Sequence, residues 1–230
     1  MCGRYSLKTP VERLSEQFQF PEFLPLKPRY NVAPSQDVAV VRLLPGDTDR
    51  KLATLRWGLI PAWAKDPTKG VQPINAMSET AAEKPMFRDA FKRRRCLIPA
   101  DGFYEWKHEG GRKQPVYICM KDHQPFAFAG LWERWAGEED DFIESCTLLT
   151  TEPNELLAQV HNRMPVILDR KDYDLWLDPA VQKVESLKPL LRPYQVDQMT
   201  YYPVNLRVNN LRNDDALCVE PLPQSRTPNL

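Results

Sequence analysis

The chain has 230 residues, of which 42% are hydrophobic, and this length can bury the core of one large domain or of two small ones. Lys plus Arg and Asp plus Glu both number 31, so no global positive field draws the protein to nucleic acid or to a membrane, and such binding must depend on a local patch. The five cysteines are widely spread and never form a C-x-x-C pair, which argues against a disulfide framework and a zinc site.

The N-terminus has no apolar signal core, and no apolar run approaches the ~20 residues that span a bilayer. We therefore predict a cytoplasmic protein with reduced thiols, without membrane contact, metal or cofactor. We also expect it to act as a monomer.

The first half of the chain carries helix and strand signals. In Thr9-Pro10-Val11-Glu12 a capping threonine, a proline at the first helical position and a glutamate three residues after the cap predict a helix to about Phe18. The runs Val38–Leu44 and Leu52–Trp57 predict paired strands. Further helices are expected at Met86 to about Arg93, Thr151 to about Val160, Asp169 to Trp176 and Val181–Leu191.

From Cys96 onward the pattern is mostly β. Segments rich in aromatic and branched residues predict strands at Cys96–Ile98, Phe103–His108, Val116–Met120, Phe126–Trp132, Phe142–Thr151 and Met164–Leu168, with a last strand within Val204–Asn213. This spacing predicts an α+β fold in a single domain, with a curled, mostly antiparallel, barrel-like sheet and peripheral short helices. We place the domain at residues 1–220 and a flexible tail at residues 221–230.

The stretch from Trp57 to Trp63 is too rich in glycine and proline for regular structure and too apolar for an ordinary exposed loop. Trp57 is expected in the core. Trp63 either packs there as well or lies at the surface, where it can stack on a base.

Cys2 directly follows the initiator methionine. If Met1 is removed, Cys2 carries a free amine beside its thiol, and the α-amino pKa of roughly 7.8 makes the free base some hundreds of times more populated than that of lysine at neutral pH. Such a residue can condense with an aldehyde to an imine, which the thiol closes into a thiazolidine. The alternative is a cysteine in a frayed N-terminus.

Three other residues are candidates for chemistry. His161, at the end of a predicted helix, suits general acid–base work near neutral pH or is a hydrogen-bonded structural histidine. Glu105, between Tyr104 and Trp106 in an apolar strand, is expected either to have a raised pKa or to form a cross-strand ion pair. Asn75 can hold an amine or a hydroxyl, or can cap a turn.

Six segments taken together closely resemble the SRAP family (SOS response-associated peptidase). They occur in the family's order and span the chain from Cys2 to about Asn213: Met1–Tyr5, Arg29–Pro34, Trp57–Pro61, Ile74–Ala76, Ala100–Trp106 and His161–Pro165.

The resemblance implies a DNA damage protein whose substrate is the ring-opened aldehyde of an abasic site in single-stranded DNA. Cys2 would form the imine and then the thiazolidine. Asn75 would position the sugar or amine, Glu105 would transfer protons, and His161 would assist ring opening and reversal. AP-lyase activity and self-cleavage after Met1 are further activities that the resemblance implies.

The resemblance also implies the DNA contacts. Arg4 and Arg163 would hold phosphates, which fits the forked donors of arginine. Pro34 and Trp63 would pack against bases near a junction of single and double strands. The chain departs from the family pattern at Met77, where an arginine is common, and at Ala64, where some members have a second aromatic residue.

Two other functions remain open. The first is a thiol peptidase with Cys2 as nucleophile, His161 as base and Asn75 or Glu105 as orienting residue. The second is a non-catalytic module that binds single-stranded DNA.

Overall fold

The computed structural model describes residues 2–21, 24–137 and 141–223. Its strands, in chain order, are β1 (Tyr5–Leu7), β2 (Arg29–Val32), β3 (Asp37–Arg42), β4 (Lys51–Trp57), β5 (Asn75–Met77), β6 (Arg95–Ala100), β7 (Gly102–Glu109), β8 (Arg112–Met120), β9 (Phe126–Ala136), β10 (Phe142–Thr151), β11 (Met164–Pro165), β12 (Ile167–Leu168) and β13 (Met199–Pro203).

The helices are short. The α-helices are α1 (Val11–Phe18), α2 (Ser78–Ala81), α3 (Arg88–Arg93), α4 (Glu155–Ala158), α5 (Tyr173–Leu177) and α6 (Val184–Leu187). The 3-10 turns are Arg170–Asp172, Lys188–Leu190, Val196–Gln198, Leu206–Asn209 and Ala216–Cys218. All of them lie outside the sheets, and the 3-10 turns Leu206–Asn209 and Ala216–Cys218 follow the last strand.

The strands β3, β4, β6, β9 and β10 close into a barrel. β3 pairs with β4 and β6, β9 pairs with β6 and β10, and the parallel pairing of β10 with β4 completes the ring. Branched and aliphatic residues suit this half-buried pleated surface. A Cβ on Gly130 of β9 would lie 2.8 Å from Sγ of Cys96, so only glycine fits where β6 and β9 approach each other.

A second, antiparallel sheet lies against the barrel in the order β13-β8-β7-β1-β2. Its inner face shares the main core with the barrel, where Tyr5 and Phe103 pack against Phe128 of β9 with ring centroids 5.9 and 5.8 Å apart. Trp57 is 1% exposed, as expected of a core residue. The predicted α+β fold with a barrel-like core and short peripheral helices is confirmed.

Several predicted elements differ in detail. The expected strand within Val204–Asn213 is wrong, because the last strand ends at Pro203 and a 3-10 turn follows it. The helix near Thr9 starts one residue later, with Pro10 as its N-cap, because the Thr9 side chain bonds to Asp101 instead.

The predicted domain boundary at residue 220 stays a prediction. Of the predicted tail, Pro221 pairs with Val204 and Leu222 N donates to Pro203 O at 2.9 Å, while residues 224–230 lie outside the described residues. In the described ranges no helix is long and apolar enough to cross a membrane. Within the same ranges, no group of three or more His, Cys, Asp and Glu side chains is arranged to hold a metal ion.

Candidate active site

The pairing of β1 with β7 brings the start of the chain to Glu105. Tyr5 lies opposite Phe103, and Tyr104 N donates to Arg4 O at 3.0 Å. When this antiparallel register is continued by two residues, the segment 2–4 runs past Glu105. Cys2 is 0% and Glu105 4% exposed. Two distant parts of the chain thus meet in a buried place at the end of the second sheet.

Burial sets the protonation of both groups. Burial, and next the negative charge of Glu105, raise the pKa of the Cys2 thiol well above its ordinary value, so that it is protonated at neutral pH. Burial raises the pKa of the Glu105 carboxyl as well, which agrees with the prediction from its apolar strand. A carboxyl that keeps its proton closer to neutral pH can donate it and take it back.

Asn75 contacts the N-terminal segment directly. Its Nδ2 donates to Cys2 O at 2.9 Å. Its Oδ1 is buried and accepts no hydrogen bond from the described residues. β5 pairs in parallel with β10, with Asn75 opposite Leu148, so the barrel wall fixes its position. The side chain holds the Cys2 backbone and has one acceptor left for a substrate hydroxyl or amine.

His161 lies just beyond α4, where His161 N donates to Leu157 O at 2.8 Å. Its Nδ1 accepts from Arg163 N at 3.0 Å, so the proton of the neutral ring is on Nε2. Burial lowers the pKa of the imidazole, which favours the neutral form at pH 7. In this form the ring offers Nε2–H as a hydrogen-bond donor, and its acceptor nitrogen Nδ1 is engaged by Arg163 N.

The loop of His161 is tied to the strands that carry Asn75. Arg163 Nη2 donates to Thr150 O at 2.7 Å, and Thr150 of β10 lies opposite Met77 of β5. Thr150 Oγ1 donates to Ala76 O at 3.4 Å. The structure therefore joins Cys2, Asn75 and Glu105 in one group and places the His161 loop against the same strand pair.

The two arginines predicted to bind phosphate are both engaged within the protein. Arg4 Nη1 donates to Asn31 Oδ1 and to Val208 O, each at 2.9 Å, and its guanidinium lies 6.0 Å from the ring of Trp106. Arg163 forms a two-pronged ion pair with Glu79 at 2.7 and 2.8 Å. Arg163 must share or exchange donors to hold a phosphate, whereas the hydrogen bonds of Arg4 to the described residues engage its Nη1 alone.

The two predicted base contacts, Pro34 and Trp63, follow β2 and β4 along the chain. Pro34 is half-buried, and the next residue, Ser35, donates its N–H to Trp57 O at 2.8 Å. Trp63 is 66% exposed, so of the two locations considered it occupies the one at the surface.

The two positions that depart from the family pattern are Met77 and Ala64. Met77 is exposed beside Asn75, and the carbonyl of Ala64 accepts a hydrogen bond from Trp135 Nε1 at 2.7 Å.

Asn31 and Glu79 were missed from the sequence. Asn31 is fully buried, orients Arg4 and donates to the carbonyls of Val208, Asn210 and Asn213. In the sequence it is one polar residue in a strand-like segment, and no local signal distinguishes it. Glu79 could have been suspected only as an acidic residue in the first turn of a helix, where such residues are common.

Comparisons with known proteins identify the family. The family model described as SOS response associated peptidase (SRAP) matches residues 1–211. The chain belongs to the SRAP family.

Among its relatives in the SRAP family, the chain is 43% identical over 224 residues to the abasic site processing protein YoqW of Bacillus subtilis (strain 168), covering 96% of this chain and 99% of YoqW. It is 30% identical over 270 residues to the abasic site processing protein HMCES of Rattus norvegicus, covering 96% of this chain and 76% of HMCES.

Solved structures confirm the SRAP fold. A crystal structure of a protein from Bacteroides thetaiotaomicron superimposes with a TM-score of 0.85 at 26% identity, covering 96% of this chain and 99% of the other. A phage-related protein of Bordetella bronchiseptica gives a TM-score of 0.70 at 33% identity, covering 88% of this chain and 94% of the other.

Proposed function

We propose that this protein processes abasic sites by covalent attachment of Cys2 to the ring-opened deoxyribose in single-stranded DNA. The observation that carries the proposal is the grouping of Cys2 with Asn75 and with the Glu105 carboxyl, whose pKa is raised. The relatives named above are abasic site processing proteins, which supports the same substrate.

The chemistry needs the amine of Cys2, so Met1 is removed first. The amine nitrogen attacks the C1′ aldehyde and forms a carbinolamine. Glu105 gives its proton to the departing hydroxyl, which leaves as water, and takes back the proton that the nitrogen loses, so the imine remains and the Glu105 carboxyl is restored. The thiol sulfur then adds to the imine carbon while its proton passes to the nitrogen, and the five-membered thiazolidine closes. No co-reactant is consumed.

The neighbouring groups prepare these steps. Asn75 fixes the Cys2 backbone and uses its remaining acceptor on a sugar hydroxyl or on the amine. His161, neutral at pH 7 with its proton on Nε2, donates a hydrogen bond to O4′ of the closed sugar as the C1′–O4′ bond breaks, while the proton of the C1′ hydroxyl passes to O4′ through water. The same donor assists the reversal. β-Elimination of the 3′ phosphate from the imine cuts the DNA strand, which is the AP-lyase outcome. This step competes with closure of the thiazolidine ring.

The thiol-peptidase alternative makes a different demand on Cys2. A cysteine protease attacks with a thiolate, whose population falls as the thiol pKa rises. Burial and Glu105 both raise the pKa of the Cys2 thiol, which works against that chemistry. Aldehyde capture begins at the amine and tolerates a protonated thiol until the ring closes.

A denaturing gel tests the proposal. The mature protein is mixed with an oligonucleotide that carries one abasic site, and we expect a shifted band that survives denaturation. Cys2→Ala abolishes the band, and Cys2→Ser leaves only an imine that borohydride traps. The matched control is Cys218→Ala, which removes another buried thiol and keeps the band.

An N-terminal extension that blocks the Cys2 amine also abolishes the band. A band of equal strength with Cys2→Ala, or no band with the mature protein, contradicts the proposal. A preference for junctions of single and double strands, a monomeric state and a nucleoid-associated cytoplasmic location stay predictions.

A further inference from the structure

The ion pair between Arg163 and Glu79 stands at the edge of the candidate site. Arg163 Nη1 donates to Glu79 Oε1 at 2.7 Å and Nη2 donates to Oε2 at 2.8 Å, so both carboxylate oxygens occupy the end of the guanidinium fork. The Arg163 side chain is 16% and that of Glu79 46% exposed. The Arg163 hydrogen bonds lower the pKa of Glu79, so the carboxylate is charged at neutral pH.

Arg163 is also anchored to the protein backbone. Nη2 also donates to Thr150 O at 2.7 Å, whereas Nε is buried without an acceptor among the described residues. An unsatisfied buried donor is unfavourable, so the pose bound to Glu79 does not satisfy the arginine completely. Glu79, at the exposed end, is the partner that can be exchanged without breaking the anchor to Thr150.

A carboxylate and a phosphate offer the same two-oxygen edge to an arginine fork. Both cannot occupy that edge at once. We infer that Glu79 is an internal competitor for DNA, whose carboxylate fills the place on Arg163 that a backbone phosphate takes when the strand binds. This inference rests on the proposed function and on the expectation, from the resemblance to the SRAP family, that Arg163 holds a phosphate.

Competition from Glu79 lowers the non-covalent affinity of the protein for DNA. A strand that pairs with Arg163 must first displace Glu79, so part of the gain from the phosphate contact is lost on every strand, damaged or intact. At an abasic site the covalent bond from Cys2 adds a term that intact DNA lacks. Because the cost is the same on both kinds of strand, Glu79 leaves the ratio of the two affinities unchanged. It lowers the occupancy of intact DNA, whereas the covalent bond holds the protein at an abasic site.

The test measures non-covalent affinity in the Cys2→Ala protein by fluorescence anisotropy of an intact single-stranded oligonucleotide at low salt. We expect Glu79→Gln to tighten binding about two- to fivefold, the range that corresponds to an ion pair of ~0.4–1 kcal/mol at a partly exposed site. In an Arg163→Gln background the same change gives no more gain than Glu83→Gln does, because Glu79 then has no arginine from which it excludes a phosphate.

The matched control is Glu83→Gln, which removes the same charge from an exposed residue close along the chain. It tightens binding less than Glu79→Gln does. An equal gain from Glu83→Gln overturns the inference, because the effect is then only a change of the general field. A loss of affinity with Glu79→Gln overturns it too, because Glu79 then preorients Arg163 for DNA.

Thermal unfolding of each variant verifies that it is folded. The inference and the proposed function fail separately: the first is tested by non-covalent binding without Cys2, the second by the Cys2-dependent covalent band.

Discussion

At the scale of single residues, the protonation of Cys2 distinguishes an aldehyde trap from a thiolate enzyme. Iodoacetamide reacts with the thiolate, and a rise of one in pKa lowers the thiolate fraction about tenfold. Because burial and Glu105 raise the pKa of Cys2, we expect its alkylation at pH 7.5 to be much slower than that of free cysteine. Peptide mass spectrometry of the N-terminal fragment measures the rate.

The same experiment isolates the contribution of the neighbouring charge. Glu105→Gln removes the second cause of the raised pKa and speeds the alkylation of Cys2. Glu109→Gln, an exposed position of the same strand, leaves the rate unchanged. Rapid alkylation of the wild-type protein, comparable to free cysteine, would favour the peptidase interpretation instead.

Glu105 also links function to stability. Its pKa is raised in the folded state, so the folded protein binds this proton more tightly than the unfolded chain, whose glutamate pKa is about 4.3. The protonated Glu105 carboxyl contributes its full stability below the unfolded pKa of about 4.3. This contribution is lost as the pH rises through the higher pKa of the folded state. A neutral glutamine avoids this loss.

We therefore expect Glu105→Gln to raise the melting temperature at pH 7.5 by a few degrees, since ~1 kcal/mol moves it by ~2–4 °C in a domain of this size. The gain disappears near pH 4, where both side chains are neutral, and the covalent band is reduced at every pH. Calorimetry at both pH values checks the prediction. A lower melting temperature of the variant at pH 7.5 would contradict it.

At the scale of elements, the sequence predicts the barrel strands well because their patterns are strong and self-contained. β10 has the predicted bounds of Phe142–Thr151, and the paired β3 and β4 lie within a residue or two of those expected. The Gly110-Gly111 turn between β7 and β8 has φ values of 55° and 76°, which glycine adopts at little cost and which suit a tight hairpin.

Other elements depend on contacts that no local pattern contains. The expected strand Met164–Leu168 divides at Val166, because β11 pairs with β10 whereas β12 pairs with β9. The site shows the same limit. Motifs select Cys2, Asn75, Glu105 and His161 as candidates, but the contact between Asn75 and the Cys2 carbonyl follows only from the three-dimensional pairing of the strands.

The segment after β13 shows why its strand prediction failed. Val204, Leu206 and Val208 alternate as in a strand, but Asn205 caps a 3-10 turn and Asn31 binds the carbonyls that follow. Buried amide bonds to backbone carbonyls stabilise such an irregular segment against the pleated form.

This arrangement makes a prediction about Asn31→Ala. Loss of its bonds to Val208, Asn210 and Asn213 should speed hydrogen exchange across residues 205–213 while the barrel strands keep their protection. Global stability should fall by about 1–3 kcal/mol, because buried carbonyls lose their donor. Hydrogen exchange with mass spectrometry measures both effects.

Asn205→Ala is the matched control, since it removes an exposed cap of the same segment whose side chain accepts from Arg207 N. It should open the first turn alone. Uniformly faster exchange in the barrel of Asn31→Ala, or none in residues 205–213, would show that Asn31 is not the tether of this segment.

At the scale of the whole molecule, the equal numbers of acidic and basic residues limit the electrostatic contribution to non-covalent DNA affinity. With 31 of each, DNA affinity must come from a few local cations, and the structure engages the two predicted ones, Arg4 and Arg163, within the protein. Each phosphate neutralised on a single strand contributes about −0.7 to the slope of log affinity against log salt. A protein that uses two such contacts has a slope of about −1.4.

We therefore expect binding of Cys2→Ala protein to intact single-stranded DNA to be weak, with a shallow slope near that value, and Arg163→Gln to reduce the slope by about 0.7. The covalent band of the Cys2 protein should persist unchanged at molar salt once it has formed. Anisotropy titrations over a salt series measure the slope. A much steeper slope would mean that further basic residues contact phosphates along the bound DNA strand. Binding would then depend on charge rather than on the covalent bond that Cys2 forms.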